Sequence, residues 1–298
     1  MLQEGVFSAI VTPFTEDGES VNKEELRRLV EAGIRSGLDG FVPAGGTGEF
    51  ATLSVDERKE VVETVCKQAA GRAKVIAQVG STSTREAVAL ARHAESAGAD
   101  AIMLATPYYE SITFDQVRSY YRAVGDATSL PICIYNFPPA MGVKYSVDMV
   151  KTLAEDVPTV KLMKDSSGDF HLLNDLISAQ EKVSIFCGED ILSGPAFLRG
   201  AGVIVGSTNF CAPAMAKLHK AARAADYQSF VKIWDGIVPL ILAVIGGHYN
   251  GGVKAVCREL GFAVGPIRAP YGDLSGERLD LIKRAIERTD RSLLNWAD

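Results

Sequence analysis

Val160-Lys161-Leu162-Met163-Lys164-Asp165-Ser166-Ser167-Gly168-Asp169 opens as a short apolar strand and closes in a polar Ser/Gly/Asp turn. Strand side chains alternate between faces, so Val160, Leu162 and Lys164 share one side and Lys161 and Met163 the other. That pattern sets a lysine at the carboxyl end of a buried strand, in line with two apolar neighbours. A charged amine there is costly unless it has a use. Attack of Lys164 on the carbonyl carbon of a small keto acid, forming a Schiff base, is one such use. A snorkelling lysine, or one paired with Asp165 or Glu189, is the alternative.

Moving outward from this stretch, apolar β-branched runs recur at 7–11, 40–43, 74–79, 101–105, 132–135, 160–163, 184–187 and 203–205. Amphipathic segments separate them at 23–35, 55–69, 84–97, 114–124, 146–153, 172–180 and 191–198. Ser54-Val55-Asp56-Glu57 and Ser83-Thr84-Arg85-Glu86 both read as capping boxes. Gly37, Gly98 and Gly200 stand just past helical segments, where a left-handed cap is needed. Strict strand–helix alternation with eight strands predicts an α/β fold, a parallel (β/α)8 TIM barrel. An open doubly wound sheet is disfavoured, because no strand runs into a GxGxxG turn. The remaining chain is helical in pattern. One helix closes the barrel, and 227–245, 252–260 and 276–294 read as a C-terminal helical extension. The boundaries are 1–225 for the barrel and 226–298 for the helical domain.

The chain has 298 residues, 47% hydrophobic, and a net charge of −6 with both signs mixed, so a full core is expected and no basic face for nucleic acid. Five widely spaced cysteines without a CxxC suggest free thiols in a reducing compartment. Met1-Leu2-Gln3-Glu4-Gly5 carries no signal-peptide pattern. The longest apolar run, 237–245, is interrupted by Pro239 and is short for a membrane span. The expectation is a cytoplasmic protein with no membrane partner. His93, His171, His219 and His248 show no metal-ligand spacing, so no metal is expected.

Active sites of such barrels lie at the carboxyl ends of the strands. Those ends carry Gly45-Gly46-Thr47-Gly48-Glu49, Thr106-Pro107-Tyr108-Tyr109, Tyr135-Asn136-Phe137-Pro138, Lys164-Asp165-Ser166, Gly188-Glu189-Asp190 and Gly206-Ser207-Thr208. With Lys164–Asp169, these motifs in this order resemble the dihydrodipicolinate synthase and N-acetylneuraminate lyase superfamily of pyruvate-handling class I aldolases. Among its branches, the 2-keto-3-deoxy sugar acid aldolases are the most similar. The resemblance covers nearly the whole chain. It implies a barrel with helical extension, a homotetramer and no cofactor.

The resemblance implies roles for individual residues. Lys164 matches the Schiff-base lysine. A protonated imine is an electron sink for the electrons of a breaking carbon–carbon bond. The attacking amine has to be neutral, a form that burial favours. Tyr135 matches the proton shuttle; a core tyrosine is the alternative. Thr47 and Gly48 match the carboxylate clamp, where backbone N–H groups and a hydroxyl meet the substrate; a plain loop is the alternative. Tyr109 matches a tyrosine that reaches a neighbouring subunit's site, though Gly46 stands where the synthase branch has the linking threonine. Gly46, Ser166, Gly188, Asp190, Val205 and Ser207 complete the expected substrate-binding set, the two serines being equally at home as turn residues.

Two departures bear on substrate. Where the synthase branch places an arginine for the aspartate semialdehyde carboxylate, this chain has Ala140, which offers no charge. Ile191 stands where the sialic-acid lyases carry a polar group. The expected substrate is therefore pyruvate or a 2-keto acid, with an aldehyde partner, joined or released as a 2-keto-3-deoxy acid. A dehydratase, the synthase itself and a non-catalytic keto-acid-binding protein are the alternatives.

Overall fold

All eight apolar runs become strands of one closed parallel barrel, ordered β1 to β8 around the ring, in a computed structural model that describes residues 4–179 and 181–297. The strands are β1 (Val6–Ser8), β2 (Gly40–Phe41), β3 (Lys74–Gln78), β4 (Ala101–Ala105), β5 (Ile132–Asn136), β6 (Val160–Asp165), β7 (Ser184–Cys187) and β8 (Gly202–Val205). Around them run α1 (Lys23–Arg35), α2 (Val55–Ala69), α3 (Thr84–Ser96), α4 (Phe114–Gly125), α5 (Pro138–Met141), α6 (Val147–Asp156), α7 (Phe170–Ser178), α8 (Ser193–Leu198) and α9 (Thr208–Arg223). Then follow α10 (Tyr227–Ile245), α11 (Tyr249–Glu259) and α12 (Gly276–Arg288).

Local chemistry explains many of the helix boundaries. Ser54 and Glu57 form a full capping box, and so do Thr113 and Gln116. At Ser83 only half of the expected box forms: its hydroxyl accepts from the Glu86 N–H, at a long 3.5 Å. Gly37, Gly98 and Gly200 take the left-handed conformation expected after a helix. The helix expected at 172–180 begins earlier, at Phe170, because Asp169 caps it. Its expected last residue, Gln180, and the start of the N-terminal stretch lie outside the described residues. Along α9, Cys211 leaves helical geometry two residues before Pro213, which removes a helical donor.

The barrel interior is filled by Phe7, Val42, Ile76, Met103, Cys133, Leu162, Phe186 and Ile204. Phe7 and Phe186 meet edge to face at 5.4 Å. They fit because Gly40 and Gly202 leave room: a Cβ there would lie 2.3 Å and 2.5 Å from those rings.

One face assignment differs from expectation. Val160 packs in the outer shell with Met163, whereas Leu162 and Lys164 follow the inward register. The β5–β6 ladder slips between Ile132 and Cys133, so simple alternation fails at the first residue of β6 and holds after it.

Pro239 does not interrupt the C-terminal apolar run as expected. It sits inside α10, whose 19 residues and mean hydropathy of 1.6 meet the length and composition of a membrane span. Here α10 packs against α9, α11 and α12, burying Phe230, Ile237, Leu240, Ile241 and Val244. α9 closes the helical ring against α1, α8 and β1, α10 packs on α9, and α11 turns back toward the carboxyl ends of the strands through Tyr249 and Asn250.

Candidate active site

Tyr135 and Lys164 are register partners on β5 and β6, near their carboxyl ends. Both are buried, at 6% and 5% exposure. The Lys164 Nζ lies 4.7 Å from the centre of the Tyr135 ring. Among the described residues no carboxylate forms an ion pair with it, so neither Asp165 nor Glu189 locks the amine. Phe137 stacks on the far side of Tyr135 at 6.0 Å. Gly188 has a steric purpose: a Cβ there would lie 2.7 Å from Lys164 Cε and 2.0 Å from Ser166 Oγ. The lysine stem crosses the glycine backbone, which only a missing side chain permits.

Beside Lys164, Asp165 is held by Asn136 Nδ2 at 2.6 Å and by the Ser167 hydroxyl at 3.0 Å. Burial raises its carboxyl above the usual range, and these bonds pull the other way. Asn136 also accepts from the Tyr145 N–H, and the Tyr145 hydroxyl meets Thr106 at 3.0 Å. This polar layer fixes the backbones on both sides of the lysine. Glu189 sits next to it, and burial and then Asp190 push its carboxyl up to about 7 while Lys164 pulls it down.

The loop after β2 brings Thr47 and Gly48 to the same mouth. Thr12 Oγ1 donates to the Gly48 carbonyl at 2.7 Å, and Asn250 Nδ2 donates to the Gly46 carbonyl at 3.0 Å. The turn closes through Glu49 N–H to Gly46 O. The N–H groups of Thr47 and Gly48 have no protein acceptor among the described residues. Gly46 faces Tyr135: a Cβ at 46 would lie 3.7 Å from the phenol oxygen.

Asp190, just past the end of β7, is committed to the protein. It accepts from the Ser207 N–H at 2.9 Å and from the Tyr249 hydroxyl. The Tyr249 oxygen in turn accepts from the Gly206 N–H. Gly206 is required here, since a Cβ would lie 2.3 Å from that oxygen. The Ser207 Oγ is buried and has no hydrogen-bond partner among the described residues.

Residues 2–289 match the dihydrodipicolinate synthetase family. The chain belongs to that family. It is therefore a class I lyase of the lysine Schiff-base type. Over 293 residues it is 34% identical to 4-hydroxy-tetrahydrodipicolinate synthase of Bartonella bacilliformis, covering 95% of this chain and 97% of that one. Identity to the protein of the same name from Rhodopseudomonas palustris (strain BisA53) is 37% over 284 residues, 95% of each. The crystal structure of a chloride-inhibited dihydrodipicolinate synthase from Acinetobacter baumannii, complexed with pyruvate, superposes with a TM-score of 0.91 at 33% identity, over 97% of this chain and 99% of that one. CdNal from Clostridium difficile, in complex with mannosamine, gives 0.89 at 27% identity, over 96% and 99%.

Within the family frame, two of the expected residues stand apart from the mouth. Val205 points its side chain into the outer shell, and its carbonyl accepts from the Ala9 N–H and the Thr208 hydroxyl. The resemblance implied substrate contact at Val205; Ile204 is the β8 residue that faces inward. Tyr109 is 85% exposed, unlike the buried Lys164 and Tyr135. The mouth also has contributors that motif reading misses. Tyr249 and Asn250 arrive on α11, far along the chain, and only an apolar helix with polar residues in its first turn hinted at them.

Proposed function

We propose that this family member joins pyruvate to an aldehyde, or releases it, through an imine on Lys164, with a 2-keto-3-deoxy acid as the larger partner. The observation that carries the reading is the Lys164 amine set 4.7 Å from the Tyr135 ring, both buried and the amine unclaimed by a carboxylate. The Lys164 nitrogen lone pair attacks the keto carbon. Water leaves the carbinolamine, and a protonated imine remains. Loss of a proton from the neighbouring methyl carbon gives an enamine, whose carbon attacks the aldehyde; the reverse path cleaves the same bond. The Tyr135 phenol carries protons to and from the reacting oxygens. Thr47 and Gly48, with amides unclaimed by the protein, receive the carboxylate.

The choice of aldehyde rests on Ala140. It is exposed on α5, beside the apolar Phe137 and Met141, and brings no cation to pair a second carboxylate. The buried Ser207 hydroxyl, without a partner among the described residues, and the buried Ser166 suit a hydroxylated substrate instead. A second reading is condensation with aspartate semialdehyde, which the names of the relatives support. Loss of water after imine formation, a dehydratase, is the third.

A homotetramer in the cytoplasm belongs to the same proposal. The exposed Tyr109 ring supports contact with another copy, and five free cysteines, four of them buried, support a reducing compartment. Borohydride added with pyruvate should leave a reduced adduct on Lys164 by peptide mass. A panel of 2-keto-3-deoxy acids should then release pyruvate. Adduct formation without pyruvate release from any of them would exclude the aldolase, and a dehydrated keto acid as product would select the dehydratase.

A further inference from the structure

Lys254 lies on α11, outside the ring of eight strands, and is fully buried. Its Nζ stands 2.6 Å from Glu49 Oε1, 2.9 Å from the Pro266 carbonyl and 4.1 Å from the centre of the Phe14 ring. Glu49 is itself buried, and its other oxygen accepts from the Arg268 N–H at 3.1 Å. Glu49 and Lys254 thus form an ion pair with both side chains buried.

Burying two opposite charges costs several kcal/mol per ion before their attraction repays it, and an apolar pair of similar size often serves stability as well. A purely structural account leaves this pair with little purpose. Its location supplies one. Glu49 follows Gly48 directly and holds a left-handed backbone, φ +58°, which a residue with a Cβ adopts only under constraint. That conformation ends the turn whose Thr47 and Gly48 amides are free of protein acceptors. Thr12 and Asn250 grip the turn's carbonyls, and Lys254 grips its only charged side chain.

We infer that Lys254 is a positioning residue for substrate: through Glu49 it sets the angle of the Thr47 and Gly48 amides that receive the keto acid's carboxylate. This rests on the reading of those amides as the carboxylate clamp. Lys254 touches neither Lys164 nor Tyr135, so imine chemistry itself does not pass through it.

Reductive trapping with borohydride separates these roles, read by mass on Lys164 across a concentration series of pyruvate and of acetone, a ketone without a carboxylate. Wild type should trap pyruvate at much lower concentration than acetone. Lys254→Met should raise the half-saturating pyruvate concentration by about tenfold or more while leaving that of acetone unchanged, the size expected of a displaced orienting group. Equal weakening for both ketones, or an unchanged pyruvate value, overturns the inference. If wild type itself prefers neither ketone, the carboxylate clamp is wrong and the inference goes with it. Should Lys254→Met fail to fold, Lys254→Met/Glu49→Gln leaves no unpaired buried charge and takes the same two series.

Discussion

The Tyr135 ring and the Lys164 amine face one another across adjacent strands at paired register positions, 4.7 Å from nitrogen to ring centre. The amine and the phenol thus share one small volume, and each can be removed on its own.

Lys164→Ala should abolish turnover, by at least about 10⁴-fold in kcat, and leave no borohydride adduct. The fold should persist, because among the described residues the amine makes no ion pair. Turnover within about tenfold of wild type would remove Lys164 from the mechanism.

Tyr135→Phe keeps the ring that stacks on Phe137 and takes away the hydroxyl alone. We expect kcat to fall by about 10²–10⁴-fold with little change in Tm. Steady-state kinetics alongside thermal melts would show it. An unchanged kcat would leave Tyr135 as packing.

Gly188→Ala puts a methyl 2.7 Å from Lys164 Cε and 2.0 Å from Ser166 Oγ. Overpacking of this kind costs roughly 1–3 kcal/mol. Urea unfolding should report that loss, and Schiff-base trapping should slow because the lysine stem is displaced. A variant as stable and as reactive as wild type would show that the rim yields more easily than its packing implies.

Glu189→Gln tests the carboxyl that burial and Asp190 push up to about 7. With a pKa raised on folding, protonated Glu189 favours the folded state below the ordinary carboxylate range, and that contribution is lost as pH rises through about 7. Glutamine never ionises. The Tm of the variant should therefore match wild type near pH 5 and exceed it near pH 8, by the same linkage. A constant Tm difference across that range would mean that Glu189 does not titrate there.

Ala140→Arg, alone, should not create efficient condensation with aspartate semialdehyde, because Gly46 also departs from the synthase pattern. Coupled assay of the variant decides it; efficient condensation would mean that the missing charge was the whole difference.

Much of this architecture was legible in the chain. The eight strands and most helix starts follow from local periodicity and capping, which need no distant partner. The inward face of Lys164 was legible for the same reason, since parity within a strand is set by neighbours two residues away; Tyr135 came from the resemblance. Val160 was misread where the ladder slips, because register depends on the adjacent strand. Val205 came only with the resemblance; that its side chain lies in the outer shell while Ile204 faces inward is set by how β8 pairs with its neighbours. The Tyr249–Asp190, Asn250–Gly46 and Lys254–Glu49 contacts were invisible, since each joins residues far apart in sequence that no periodicity relates. Gly188 and Gly206 were noticed, but what each makes room for is a side chain from elsewhere in the fold.

Because α11 fastens the rims on both sides of the mouth, the order of synthesis matters. A nascent chain that has just completed α9 already carries the reactive amine and the phenol, yet lacks every one of these fastenings. The fastenings of Gly46, Glu49 and Asp190 are thus the last to become available as the polypeptide leaves the ribosome, well after β5 and β6 have been made.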